Sequence, residues 1–389
     1  MEGYPMGQPP FFPPEEYESR LRAVRQSMAE RQLDGLLVSV PENIYYLAGV
    51  SHWGYFATHL LIVPAEGRPT IVARSMEQVT MDLQLNNVDF VGFGDLDDPA
   101  VTVCQVLNRA GLGSGRLGME KNSLFLTPAL AERIVAGVPG AQWCDASDLV
   151  YHHRVAQSPL EQAYTRRAAV VTDAMMQAAI DTAHAGVSEK EVAVEVHRAM
   201  VEAGGEFPGF GPFIRSTPTL GQEHGTWTDR VLEDGDVLFV ELSGCVARYH
   251  APMGRLLFVG HAPDSARWIE PVCLEAMDAV VRTAQPGVTA DTVYQAWQDR
   301  VDAAGLSHYR RHHCGYMVGI AFPPAWSGGG VPVGLRHNSP MILRAGMVFH
   351  LMSWLMHSGH GDYFVSHAAI VTDDGCEVLT TIPQHLQVV

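Results

Sequence analysis

The sequence predicts an α/β domain over residues 1–152 followed by an α+β domain over residues 153–389. Three features predict this. Up to about residue 150, short β-rich apolar runs alternate with helix-period segments. Ser158-Pro159 followed by Glu161 then opens a pair of long amphipathic helices. Beyond residue 205 the strands lengthen, as in a mostly antiparallel sheet with helices on one side.

The chain starts MEGYPMGQPPFFPPEEY, a Pro-rich acidic stretch that reads as an extended arm and lacks the basic-then-apolar pattern of a secretion signal. Residues 15–33 alternate apolar and charged side chains at helical spacing and predict a helix. Segments 34–40 (DGLLVSV), 59–65 (HLLIVPA), 69–75 (PTIVARS), 88–94 and 115–120 predict strands; 76–85 and 128–138 predict helices. In the second domain Ser158 is read as an N-cap with Pro159 at the first helical position, and SEKE (188–191) as a capping box. Strands follow at 236–247, 254–260, 347–356 and 367–375, with helices near 264–285 and 290–305.

The 389 residues are 47% apolar and 18% charged, which describes a globular chain with room for two cores. A formal charge of −17 argues against nucleic acid or an anionic membrane as partner and leaves a small-molecule substrate as the expectation. No apolar run approaches a membrane span. The six cysteines are scattered without a C-x-x-C pair, as expected of reduced thiols in a cytoplasmic protein.

Ordered landmarks carry a resemblance. RVAQSPLE (154–161) is similar to an interdomain K-S-P-x-E helix start. LEDGDVLFVELSGCVARYHAPMGRLLFVG (232–260) is similar to a strand pair written GD-x-V-x-x-D-x-G…Y-x-x-D-x-T-R-T. HHCGYMVG (312–319) stands for H-G-x-G-H-x-I-G, LRAGMVFHLMS (343–353) for L-x-x-G-M-V-F-T-I-E-P, and FVSHAAIVTDDG (364–375) for R-I-E-D-x-V-L-V-T-E-D-G. Together they resemble the creatinase/prolidase family, whose peptidase branch has the pita-bread (creatinase/aminopeptidase) fold. That resemblance implies a pita-bread second domain, a creatinase-like first domain and a homodimer, with the Pro-rich start and Trp53–Phe56 as candidate contacts.

In the peptidase branch Asp, Asp, His, Glu and Glu hold two metals. The matching residues here are Glu241, Pro252, Tyr316, Met352 and Ser366, so the resemblance implies no metal and no cofactor. A slip of one residue in the match would bring His250 or His367 to the site. Further local matches, His224-Gly-Thr-Trp227-Thr-Asp229, VELSGCVARYH and GYMVGIAFPPAW, are similar to the metal-free ectoine-hydrolase and creatinase-like branch. Segment 43–59 departs from that branch, and Gly254 and Met352 stand where creatinase has carboxylates for a guanidinium.

Three residues are candidates for catalysis. His224 matches the family's catalytic histidine; imidazole takes and returns protons near neutrality, whereas a loop histidine is the structural alternative. Glu241 sits in an apolar strand, where a carboxylate serves either a cationic amidinium or guanidinium substrate or a buried ion pair with Arg248 or Arg255. Tyr316 replaces a metal-ligand histidine and is placed to donate to a tetrahedral intermediate. For substrate binding the candidates are His250 and His350 (each also readable as a satisfied core histidine), Arg215 for an anionic end, and Trp227 and Trp326 as walls, with Trp354 beside them. The dense stretch His357, His360, His367 reads as loop and strand-end histidines rather than as a metal tract.

The expected activity is metal-independent hydrolysis of a non-peptide C–N bond in a small cationic or zwitterionic amidine or guanidine, foremost an ectoine-type ring opening. The rivals are a creatinase-like amidinohydrolase or lyase on another zwitterion, an Xaa-Pro dipeptidase, and an inactive pita-bread binding protein.

Overall fold

The computed structural model describes residues 10–328 and 333–389, and the chain divides into two units, Met1–Arg154 and Val155–Val389. The first contains, in order, α1 (Pro14–Glu30), β1 (Gly35–Val38), α2 (Pro41–Ala48), β2 (Leu60–Pro64), β3 (Thr70–Arg74), α3 (Gln78–Gln84), β4 (Asp89–Phe93), α4 (Pro99–Arg109), β5 (Arg116–Met119), α5 (Pro128–Gly137), β6 (Gln142–Asp145) and α6 (Leu149–Arg154). Its sheet runs β4-β3-β2-β1-β5-β6, with β1–β2 and β2–β3 antiparallel and the remaining pairs parallel. The helix at 99–109 is new: Asp98 caps it through Ala100 N–H and Pro99 starts it, a signal present in the sequence but hidden inside a polar stretch.

The Pro-rich start corrects one expectation. Residues 1–9 lie outside the described residues, but from residue 10 the segment is not a free arm. Phe11 and Phe12 are buried, with Phe11 against Tyr45 (ring centroids 5.6 Å apart) and the Arg20 guanidinium 4.2 Å from the Phe12 ring centre. Burial of two adjacent aromatics holds this extended segment against the first unit.

The second unit contains α7 (Pro159–Thr182), α8 (Glu189–Glu202), β7 (Phe213–Ser216), β8 (Val237–Val246), β9 (Tyr249–Phe258), α9 (Asp264–Thr283), α10 (Ala290–Ala303), β10 (Gly315–Met317), β11 (Val348–Leu355), β12 (Tyr363–Val371), β13 (Cys376–Val378) and β14 (Gln387–Val388). Both predicted caps form. Ser158 and Glu161 at α7, and Ser188 and Glu191 at α8, exchange reciprocal side-chain and backbone bonds. The sheet runs β10-β11-β12-β9-β8-β7, antiparallel throughout, with β13 on β12 and β14 parallel to β9. This is the α/β plus α+β pita-bread architecture.

Alternation on β8 assigns the two faces of this sheet. Leu238, Val240 and Leu242 join a core cluster with Ala168, Met175 and Met176 of α7 and Val192 and Val196 of α8. Cys273 of α9 and Trp297 of α10 bond to Ser353 on the same side of β11. The helices therefore cover one face, and Phe239 and Glu241 point to the other. Helix α7 lies close enough to β8 that a Cβ at Gly244 would meet the Ala168 carbonyl and the Thr172 N–H; the Thr172 hydroxyl bonds Gly244 N–H and the Ala251 carbonyl instead. Among the described residues no helix is long and apolar enough to cross a membrane.

The close approach gives a test of this packing. Gly244→Ala is expected to lower stability by about 1–3 kcal/mol through overpacking, read as a shift of the urea midpoint at unchanged slope.

Candidate active site

Strand register sets out the helix-free face row by row, because directly opposed residues point the same way. Phe213, Glu241, Gly254, Ser366 and Met352 form one row across β7, β8, β9, β12 and β11. A second row opposes Tyr316 to His350, and a third begins with Arg215 opposite Phe239. The loops after α10 and β10 and the segment before β8 close these rows into a cavity of about 400 Å³. It is lined by Phe210, Phe213, Arg215, Glu223, His224, Glu241, Arg311, His312, His313, Tyr316, Trp326, Met352 and Trp354, among others.

Its floor is aromatic. Phe239 stacks on Phe364 at 5.1 Å, and Trp354 packs against Phe364 at 4.8 Å and Phe239 at 5.6 Å. Two guanidiniums rest on this platform: Arg215 stands 3.9 Å from the Phe239 ring centre and Arg311 4.4 Å from that of Trp354. Arg215 Nε also donates to the Leu220 carbonyl, and Arg311 lies 3.7 Å from Glu223.

One wall is a polar chain. Trp326 Nε1–H donates to the Tyr316 hydroxyl at 2.8 Å. The same hydroxyl lies 2.9 Å from His350 Nδ1, and His350 Nε2 lies 2.7 Å from the Ser366 hydroxyl. Burial pushes the His350 imidazole down to about 3, so the ring is neutral at physiological pH. Burial, with Glu241 nearby, pushes the Tyr316 phenol well above its ordinary value.

Glu241 contrasts with this satisfied chain, as do two buried nitrogens of the lining, Arg311 Nε and His313 Nδ1, which lack hydrogen-bond partners among the described residues. Glu241 is 8% exposed, and among the described residues no group donates a hydrogen bond to its carboxylate; His350 Nδ1 stands 3.8 Å away. Burial pushes its carboxyl up to about 7, against the pull of Arg215 and Arg311. The structural alternative for Glu241 does not hold. Arg248 donates to the Ala321 and Phe207 carbonyls, and Arg255, buried on the opposite face, donates to the carbonyls of Gly254, Ser366, Ile382 and Pro383.

Of the residues singled out in the sequence, the cavity brings together His224, Glu241, Tyr316, Arg215, Trp326 and Trp354, with His350 directly behind Tyr316. His224 sits at the exposed rim beside Phe213 (5.7 Å). Two binding candidates are corrected. His250 accepts from Gly209 N–H through Nε2 (2.9 Å) and donates from Nδ1 to the Gly319 carbonyl (3.2 Å), which leaves no ring nitrogen for a ligand. Trp227 packs against His197 and the α7–α8 core, outside the cavity lining. His367 points to the helix side and bonds Thr380. Sequence reasoning missed Arg311, His313, Phe210 and Phe213. The only signal was the basic run Arg310-Arg311-His312-His313 directly before the β10 motif, since a loop carries no periodicity.

The positions matched to a two-metal ligand set all fall on this face, yet their chemistry does not fit two divalent ions. Glu241 is the single carboxylate. The Tyr316 and Ser366 hydroxyls are engaged by His350, and Pro252 and Met352 offer no hard donor. Among the described residues, the one group of three His, Cys, Asp or Glu side chains near enough to share an ion is His52, His59 and Glu77, in the first unit.

Known proteins match both units. Residues 163–373 match the metallopeptidase family M24, and residues 20–156 match the creatinase/prolidase N-terminal domain. The chain is 30% identical to the uncharacterised hydrolase/peptidase y4tM of Sinorhizobium fredii, over 97% of this chain and 98% of that one. It is 28% identical to the ectoine hydrolase of Halomonas elongata, over 96% and 98%. The solved Xaa-Pro dipeptidase of Bacillus anthracis superposes with a TM-score of 0.83 at 21% identity, covering 96% of this chain and all (100%) of that one, a likeness of fold. Fold, ordered motifs and these matches agree: the chain belongs to the metallopeptidase family M24, carries a creatinase/prolidase N-terminal domain, and is a hydrolase of that family.

Proposed function

We propose that the protein is a metal-independent C–N hydrolase of small cationic or zwitterionic amidine or guanidine compounds, with ectoine-type ring opening as the leading case. The observation that carries this reading is the Glu241 carboxylate, which faces an aromatic cavity without a donor of its own. An amidinium supplies two N–H donors and the missing positive charge together. Arg215 and Arg311 in the same cavity suit the carboxylate of a zwitterion. The similarity to an ectoine hydrolase along nearly the whole chain supports the same substrate class.

In the proposed reaction Glu241 pairs with the amidinium and leaves its central carbon electron-poor. His224 takes a proton from water, and hydroxide adds to that carbon to form a tetrahedral intermediate. The C–N bond then breaks as His224 returns the proton to the leaving nitrogen. Tyr316 can donate to the intermediate when His350 carries its own proton on Nδ1. In that tautomer the phenol oxygen accepts from both Trp326 and His350, and its hydroxyl proton is free. The solved Xaa-Pro dipeptidase marks the rival reading, whose metal chemistry the donors at Pro252, Tyr316, Met352 and Ser366 do not favour. The proposal includes a cytoplasmic homodimer. Trp53 (53% exposed) and Phe56 (84% exposed) suit a protein contact, and a dimer mass by light scattering that falls on Trp53→Ser/Phe56→Ser is the expected result.

Kinetics with ectoine in the presence of chelator test the chemistry. Turnover is expected to persist, and dependence on added manganese or cobalt would sink the metal-free reading. His224→Ala should reduce kcat by about 10²–10⁴-fold with binding retained. Glu241→Gln should reduce kcat/KM on the order of a thousandfold, and Arg311→Ala should act mainly on KM, by about tenfold or more.

The pH dependence follows from the Glu241 carboxyl at about 7. A cationic substrate pairs with the ionised form, so kcat/KM should rise with pH to a plateau above 7. Stability should move the other way. Between the ordinary value of 4.5 and about 7 the folded protein holds a proton that the unfolded chain has released, so stability falls as pH rises through that window. Glu241→Gln removes this component and should raise the melting temperature at pH 8 more than at pH 5. Equal shifts at both would contradict the assignment.

A further inference from the structure

The first unit holds a second group of ligand-type side chains that the proposed reaction does not use. Antiparallel pairing of β2 with β3 brings the start of β2 and the end of β3 to one end of the sheet. His59 immediately precedes β2, and Glu77 follows β3 in a short 3₁₀ turn. His52 returns to the same place across the turn Trp53–Phe56. Each of the three offers one ligand atom within 4.8 Å of the other two. The two imidazoles stand 4.8 Å apart, and the Tyr55 ring packs against both, 5.2 Å from His52 and 4.9 Å from His59.

The hydrogen bonding of the two rings departs from that of ordinary core histidines. His59 is 2% exposed, and its Nδ1–H donates to the Ala57 carbonyl at 3.0 Å, which fixes the tautomer and leaves the Nε2 lone pair free. Nε2 of His59 is buried and, among the described residues, has no hydrogen-bond partner; the same is true of Nε2 of His52. Buried polar atoms are rarely left this way, and two in one small space ask for a common partner. The Gly54 N–H donates to His52 Nδ1 at 3.2 Å, which places the proton of the neutral ring on Nε2, and Glu77 Oε2 lies 3.4 Å from Nδ1, close enough to receive that proton's hydrogen bond once it moves to Nδ1. A Cβ at Gly54 would collide with both the His52 ring and Glu77, so the backbone is fitted closely around them. Burial keeps both rings neutral at physiological pH; His59 presents its Nε2 lone pair directly, and His52 does so when its proton shifts from Nε2 to Nδ1.

We propose that His52, His59 and Glu77 form a binding site for one zinc-class divalent cation. Two imidazoles and a carboxylate suit borderline ions such as Zn²⁺ or Co²⁺ and leave a fourth position for water. Donor atoms around a tetrahedral ion with bonds near 2.1 Å stand roughly 3.4 Å apart, so small rotations of these side chains complete the site. The ion ties the exposed turn after α2 to the end of β3. This site is independent of the C–N hydrolase reading, which concerns other residues.

The test uses the full-length protein stripped with chelator and titrated with Zn²⁺ by calorimetry and with Co²⁺ by visible absorption. One equivalent with a tetrahedral cobalt spectrum is expected, unchanged in Glu241→Gln. His59→Ala and His52→Ala should weaken binding by at least about 100-fold, and Glu77→Gln by about 10–100-fold. Absence of binding, or binding undiminished in these three variants, overturns the proposal. Loss on Glu241→Gln alone overturns it too, and places the ion in the central cavity. Should either histidine variant fail to fold by circular dichroism, Glu77→Gln, at the edge of the site, decides the matter.

Discussion

The second unit depends on one unbalanced charge. A carboxylate buried without donors is costly because it loses water and gains nothing in return. Glu241 meets this with only distant help: Arg215 and Arg311 bias it toward ionisation, while each guanidinium is itself seated on an aromatic ring rather than on the acid. The two forms of the carboxyl are therefore nearly balanced around neutrality. On the proposed reading a bound cation would tip that balance by direct pairing, so that affinity would arise where the protein alone is least comfortable. Stability would then be conceded at the position that recognises the substrate.

The rest of the face is arranged around that single acid. A dinuclear metal cage needs several carboxylates whose mutual repulsion the ions cancel. Four of the matched positions are Pro252, Tyr316, Met352 and Ser366, none of them a carboxylate, so that repulsion is absent here. The two hydroxyls there share one imidazole. His350 sits between Tyr316 and Ser366 and satisfies both. The hydroxyl on β12 depends on the β11 histidine, without which it would be a buried polar atom in need of a partner.

Much of this was legible in the sequence because it lies on regular elements. Strand alternation points Glu241 away from its apolar neighbours Val240 and Leu242, and cap chemistry at Ser158 and Ser188 marks where the supporting helices begin. The match at HHCGYMVG similarly located Tyr316. Loops were the blind spot. Arg311 and His313 reach the cavity through a segment whose path no periodicity describes, and nothing local distinguishes them from solvated charges. His250 and Trp227 failed for a different reason. Each belongs to a motif that reaches the site, but its own neighbours, Gly209 and Gly319 for the histidine and the α7–α8 core for the tryptophan, take up its polar or apolar surface. Motif membership reports proximity in sequence, whereas the free valence of a side chain is decided by partners from remote segments.

That distinction separates two buried places where an imidazole lies near a carboxylate. In the second unit His350 is bonded at both nitrogens and Glu241 is left without a donor, an arrangement that, on the proposed reading, suits an organic cation with N–H groups. At the cluster in the first unit, Nε2 of His52 and of His59 lack partners among the described residues, while Glu77 lies against His52. Two imidazoles beside a carboxylate suit an ion that accepts electron density, which an amidinium cannot do. On the two proposals the same residue types would serve different guests, because the chemistry of a site is set by which atoms the fold leaves available.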